Sequence, residues 1–168
     1  MQLTPEQEAV LKTFIETDPS TSGIGLGDDG PERIADILNA PAAPDFWVSR
    51  TDLGEREFFD ATSPDGTVFI WAGNGYITRS AGERDCLRAI FAAGYADCSK
   101  AGIKQAFTDI FSGTGNAANN LAHAKAMGRR LASVFEKLLA TGTGSTASPA
   151  IMAVEGPVSA NLILSLYD

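Results

Sequence analysis

The chain has 168 residues, of which 44% are apolar and 20% charged, with a formal net charge of −8; this is the profile of an ordinary globular domain with enough apolar surface for a core. No uninterrupted apolar run nears the roughly 20 residues of a membrane span, and the polar, acidic start lacks the basic-then-apolar layout of a signal peptide, so synthesis and residence in the cytoplasm, with no membrane partner, are expected. Residues 1–60 hold 13 acidic and 4 basic side chains against 8 and 9 in residues 61–168, which argues against tight nucleic-acid binding, since phosphate contacts need clustered Lys and Arg.

Thr4-Pro5-Glu6-Gln7 predicts a helix start, with Thr as N-cap, Pro at the first position and Gln completing a capping box. Val10, Leu11, Phe14 and Ile15 give that helix an apolar face, and Asp18-Pro19 ends it. Ser20 to Gly30 reads as a loop. Its alternating glycines lack the spacing and the preceding strand of a dinucleotide fingerprint, and it has too few oxygen ligands for calcium. Pro31 opens a second helix carrying Ile34, Ile37 and Leu38. After the Pro41–Pro44 connector, Phe46-Trp47-Val48 is expected to anchor a core. Thr51 to Phe59 predicts a short helix capped near Thr51. Asp65-Gly66 marks a turn, and Thr67 to Trp71 a short strand or buried extended piece.

The second half is more helical. Ser80-Ala81-Gly82-Glu83 is a capping box, followed by Cys86, Leu87, Ile90 and Phe91 on one face. Ile103, Phe107, Ile110 and Phe111 form another apolar stripe that stops at Ser112-Gly113. From about Ala117 to Ala140 the residues Ala124, Met127, Leu131, Val134 and Leu138 alternate spacings of three and four. That pattern predicts one long helix with a coiled-coil-like seam, whose later half carries Arg129, Arg130 and Lys137 where cations suit the dipole. Pro149 to Val154 predicts a strand or extended arm, and Ser159 caps a final helical turn through Leu162, Ile163 and Leu166.

Few residue sets could do chemistry. Cys86 reads as a reduced core thiol, and a Cys86–Cys98 disulfide disagrees with a cytosolic chain. A lone His123 with two distant cysteines makes a poor zinc set, and no nucleophile motif accompanies it. Glu55 with Glu57 or Asp60 could supply a carboxylate pair for a small hydrolase, although a solvated acidic helix face explains them more simply. Gly142-Thr143-Gly144-Ser145-Thr146 looks like a phosphate loop. It follows a helix C-terminus, however, has no Lys, and runs into Pro149 rather than into a helix. Gly142 therefore reads as a left-handed C-terminal cap, with Gly144 and Pro149 completing a hinge. No catalytic residue and no cofactor are predicted.

Arg50-Thr51-Asp52, the helix ending Ile110-Phe111-Ser112-Gly113, and above all Glu136-Lys137-Leu138-Leu139-Ala140-Thr141-Gly142-Thr143-Gly144-Ser145-Thr146-Ala147-Ser148-Pro149-Ala150 with Glu155-Gly156 resemble a family of small tailed-bacteriophage proteins. Members carry "ATGTG" then "ASPA" before a short "EG" segment. The resemblance is specific over residues 135–159, weaker over 50–60 and 80–113, and does not extend to 1–45; Pro157 and the short apolar end at Asp168 depart from it. It implies a virion protein encoded among structural genes. By analogy of size and helical build it implies a head–tail connector (adaptor) of the neck, forming a dodecameric homo-oligomeric ring against the portal protein and the neck or tail proteins. DNA would pass through this ring without specific binding. A capsid decoration or minor head protein is the alternative. The expected architecture is mainly α, a helical bundle with a short extended segment or hairpin. A body over 1–146 would carry an arm over 147–168 whose Ile151, Met152, Val154, Leu162 and Ile163 pack on a neighbouring subunit.

Overall fold

The computed structural model describes residues 2–168. In chain order the elements are α1 (Pro5–Thr17), α2 (Gly30–Asn39), β1 (Trp47–Ser49), β2 (Leu53–Gly54), α3 (Glu55–Asp60), α4 (Ala81–Ile90), β3 (Tyr95–Ala96), α5 (Ala101–Ile110), α6 (Asn116–Met127), β4 (Arg129–Leu131), α7 (Val134–Leu139) and α8 (Ala160–Ser165). The fold is a mixed, helix-rich one built from short helices, the longest having 13 residues. Its strands have two or three residues each, and β2 pairs antiparallel with β3. The described residues form two compact units, one made of residues 2–48 and Leu131–Asp168, the other of Ser49–Arg130. The boundaries fall at Val48/Ser49 and Arg130/Leu131, not near residue 146. Residues 147–168 are thus part of the unit that holds the N-terminal helices.

In the first unit α1 begins as its sequence predicts. Thr4 accepts the Gln7 N–H while the Gln7 side chain accepts the Thr4 N–H, which satisfies two of the helix's otherwise unpaired donors. Leu11 and Ile15 of α1, Ile34 and Leu38 of α2, Phe135 and Leu139 of α7, and Ile163 and Leu166 at the C-terminus make one core. The backbone at Val158 is clamped by the Asn39 side chain, which donates to its carbonyl and accepts from its N–H, both at 2.8 Å. A smaller cluster of Val48, Ala132 and Ala150, with Phe46 and Met152 against it, completes this unit.

The second unit packs around Phe58. The rings of Phe59, Phe69, Phe91, Phe107 and His123 surround it at centroid separations of 5.2 to 5.4 Å, within the range at which aromatic pairs attract beyond simple burial. Ser80 and Glu83 form the expected capping box of α4, and α5 presents Phe107 and Ile110 to the core. The Thr67–Trp71 segment forms no strand. Its backbone is bonded instead by side chains of α6: Asn120 accepts the Ile70 N–H at 2.8 Å and donates to the Ile70 carbonyl at 2.9 Å and to the Gly75 carbonyl at 3.1 Å. Asn116 donates to the Ala72 carbonyl. His123 Nε2 lies 2.8 Å from the Phe58 carbonyl, and its Nδ1 lies 3.2 Å from the Thr67 hydroxyl and carbonyl oxygens. Positions 116, 120 and 123 share one helix face, so α6 does for this segment what a neighbouring strand would do.

Three expectations change. The helix predicted over 117–140 is broken after Met127, where Gly128 ends α6, β4 follows, and Ser133 starts α7 with a capping box to Glu136. The seam is therefore not continuous, and Arg129 is no dipole cation: it is buried and paired with Asp65. The helix predicted from Thr51 starts at Glu55 after a short strand and has no side-chain cap. Cys86 is exposed on α4, whereas Cys98 is the buried thiol.

Candidate functional site

The loop after α7 is the stretch whose sequence invites a ligand, and its geometry is that of a brace. Ala140 caps α7 in an extended conformation, φ −76° and ψ 154°, so the helix does not end on a left-handed residue. Thr141 and Ile151 exchange both backbone hydrogen bonds, at 2.8 and 2.9 Å. Gly142, with φ +128°, lies opposite Ala150; a Cβ there would sit 3.1 Å from the Ala150 Cα. It is a close-approach glycine two residues beyond the cap rather than the cap itself. At Gly144, φ +64°, a Cβ would come within 2.2 to 2.5 Å of three Phe46 ring carbons, and its carbonyl accepts the Trp47 N–H at 2.7 Å. The Thr143 hydroxyl donates to the Ser148 carbonyl, and the Ser148 N–H donates to Ser145 Oγ. Pro149 is half-buried just before Ala150, whose N–H donates to the Trp47 carbonyl. Gly142, Gly144 and Pro149 thus lie where the loop is packed on Ala150 and Phe46 and bonded to Trp47.

The five residues predicted to reach a neighbouring subunit divide according to burial. Ile163 is fully buried in the first unit's core, and Leu162 and Val154 lie half-buried against that same core. Met152 is half-buried against Val48 and Ala150. Ile151 alone points outward, 49% exposed. The Glu155-Gly156 turn lies near α7: the buried Glu136 carboxylate accepts the Ser133 N–H at 3.0 Å, and the Gly156 N–H approaches it at 3.5 Å. Residues 135–159 are therefore an apolar brace within the first unit, with one exposed large apolar side chain, Ile151.

The remaining candidates belong to the second unit. Glu55, Glu57 and Asp60 lie exposed along α3. Glu57 is held by both terminal nitrogens of Arg50 and Asp60 by Arg56, and the bond to Glu57 raises the Arg50 pKa. His123 is fully buried against backbone oxygens and the Thr67 hydroxyl, which in turn contacts Ser63 Oγ at 2.6 Å. Among the described residues no group of three or more His, Cys, Asp or Glu is placed to hold a metal. The sequence signal for the buried polar set was the Asn116, Asn120 and His123 periodicity in an otherwise Ala-rich helix, which hydrophobic patterning does not score.

The cysteines allow a direct check of burial. Desolvation pushes the Cys98 thiol up to about 11 from 9.0, which removes the reactive thiolate near neutral pH. A thiol reagent at pH 8 should therefore modify one equivalent, at Cys86, in the native protein and two after unfolding. Peptide mapping after labelling gives the site; rapid native labelling of Cys98 would contradict the packing. The raised pKa also has a sign for stability. Its contribution is intact below the unfolded thiol's pKa near 9 and is lost as pH rises towards 11.

Charge follows the folding units. The first unit holds 12 acidic and 3 basic side chains, the second 9 and 10. The ion pairs Arg50–Asp52, Arg50–Glu57, Arg79–Glu83, Arg88–Asp85, Lys100–Asp97 and Arg129–Asp65 all lie in the second unit. Among the described residues no helix is long and apolar enough to cross a membrane. Compared with known protein families, with curated proteins and with solved structures, the chain matches none.

Proposed function

We propose that the protein is a structural subunit of a tailed-bacteriophage particle, a ring-forming head–tail adaptor that meets the portal protein on one side and neck or tail proteins on the other. The observation that carries this reading is the concentration of acid in one folding unit, 12 acidic against 3 basic side chains. A ring lined by such units repels the DNA backbone and lets it pass without specific binding. Further support comes from the resemblance over residues 135–159 and from Ile151, an outward apolar side chain on a braced edge of the kind a head-to-tail contact between subunits buries.

Quantitative mass spectrometry of purified particles tests the proposal. About a dozen copies per particle is the expected result for a closed cyclic ring, and particles made without the gene should accumulate as separate heads and tails. Hundreds of copies would identify a decoration protein of the capsid instead. Absence from particles would end the virion reading.

A further inference from the structure

The second unit carries an apolar platform that its own core does not cover. Trp71 is 47% exposed, yet its ring stacks on Phe59 at 5.0 Å and meets the edge of Tyr76 at 5.0 Å, so it is held rigidly rather than waving in solvent. Ile77, the most exposed large apolar side chain of the unit at 62%, is tied to it by a backbone hydrogen bond from its N–H to the Trp71 carbonyl. Arg84 lies at the rim and donates to the Ile77 carbonyl at 3.0 Å. It has no carboxylate partner among the described residues. A preformed aromatic and aliphatic surface beside a cation without a counter-ion has the composition of an interface centre.

The first unit has the opposite character. Glu6, Glu8, Glu16, Asp28, Asp29, Glu32 and Asp36 form no ion pair among its described residues, and its most exposed large apolar side chain is Ile151. We propose that the Trp71–Ile77 platform is the docking face for the first unit of a second copy of this chain, with Ile151 entering the apolar centre and Arg84 meeting the acidic surface. The proposal rests on the ring-forming reading and identifies its contact. The two patches differ, so each copy offers one of each. The contact is heterologous, and such a contact forms a ring where its rotation closes and an open filament where it does not.

Mixing experiments test this using the full chain. The platform variant Ile77→Asp with Arg84→Glu and the opposite-face variant Ile151→Asp change exposed or rim side chains, and circular dichroism confirms that each is folded. Wild type should self-associate. Each variant alone should associate at least about tenfold more weakly and run near the 17.6 kDa chain mass. An equimolar mixture of the two variants should give a dimer of twice that mass, because one intact platform then meets one intact Ile151 face. Wild-type association should also fall at 1 M salt, where charge contacts are screened. A monomeric wild type, variants that assemble like wild type, or a mixture that stays monomeric would each overturn the docking face. Copy number in particles is independent of these outcomes: variants that assemble normally in a protein present at about a dozen copies remove this surface and leave the adaptor reading standing.

Discussion

Replacing Asn120 with alanine should destabilise the second unit by about 3 kcal/mol, the cost of stranding buried backbone groups without partners. Asn120 is fully buried and satisfies the Ile70 N–H and the carbonyls of Ile70 and Gly75 at once. Neither an alanine nor a leucine can replace those bonds, and among the described residues no strand pairs with this segment to take them over. Asn119, the exposed residue just before it on α6, is the control, and its alanine variant should fall within about 0.5 kcal/mol of wild type. Urea unfolding followed by near-ultraviolet circular dichroism measures both. Asn120→Asp sharpens the test: it keeps the acceptor for the Ile70 N–H but turns a carboxylate oxygen towards two carbonyls. Repulsion raises the folded-state pKa of such an Asp, so its penalty is present at neutral pH and shrinks as pH falls towards about 4. An Asn120→Ala protein as stable as Asn119→Ala would show that α6 does not hold the 67–75 segment through its side chains.

That dependence explains which parts of the fold can be read from the sequence. Helix starts with local chemistry are legible: Thr4 with Gln7, Ser80 with Glu83, and Ser159 under α8 each act within one turn, where no tertiary information is needed. The stretch from 117 to 140 misleads because apolar residues at heptad spacing continue across Gly128. The competing local signals were present, a glycine and a Ser133–Glu136 capping box, and they prevail because tertiary packing uses Arg129 and Ala132 rather than a continuous seam. The Thr67–Trp71 segment is illegible for another reason. Its partners lie 50 to 56 residues away on a helix, and side-chain-to-backbone clamps leave no periodicity in the segment they hold.

The C-terminal loop shows the same division. Residue order alone argues against a phosphate cradle, because the glycines come after a helix and not before one. What the glycines do instead depends on Phe46 and Ala150, contacts that spacing cannot reveal. Apolar content likewise flagged 151–163 as a surface to be covered. It does not say whether the cover comes from the same chain, and for Ile163 it does.

Ile163→Ala should therefore cost about 2–4 kcal/mol of stability, the range for emptying a filled core site, while Ile151→Asp should change stability by no more than about 0.5 kcal/mol. Ile163 is fully buried in a core with Leu11, Ile34, Leu38 and Phe135, and its removal leaves a cavity bounded by α1, α2 and α7. Ile151 makes its bonds to Thr141 through the backbone, which the aspartate preserves. Denaturant titration at matched protein concentration separates the two, and particle assembly supplies the second readout. Ile163→Ala should impair assembly only in proportion to the protein lost to unfolding. Ile151→Asp should impair it with the protein fully folded. If the two substitutions cost equal stability, Ile151 belongs to the core and the outward face of the brace is not available to a neighbour. The same logic rules out deleting residues 147–168 as a test of assembly, because the deletion removes Val158, Ile163 and Leu166 from the first unit's core, and failure to assemble would then report an unfolded unit rather than a missing contact.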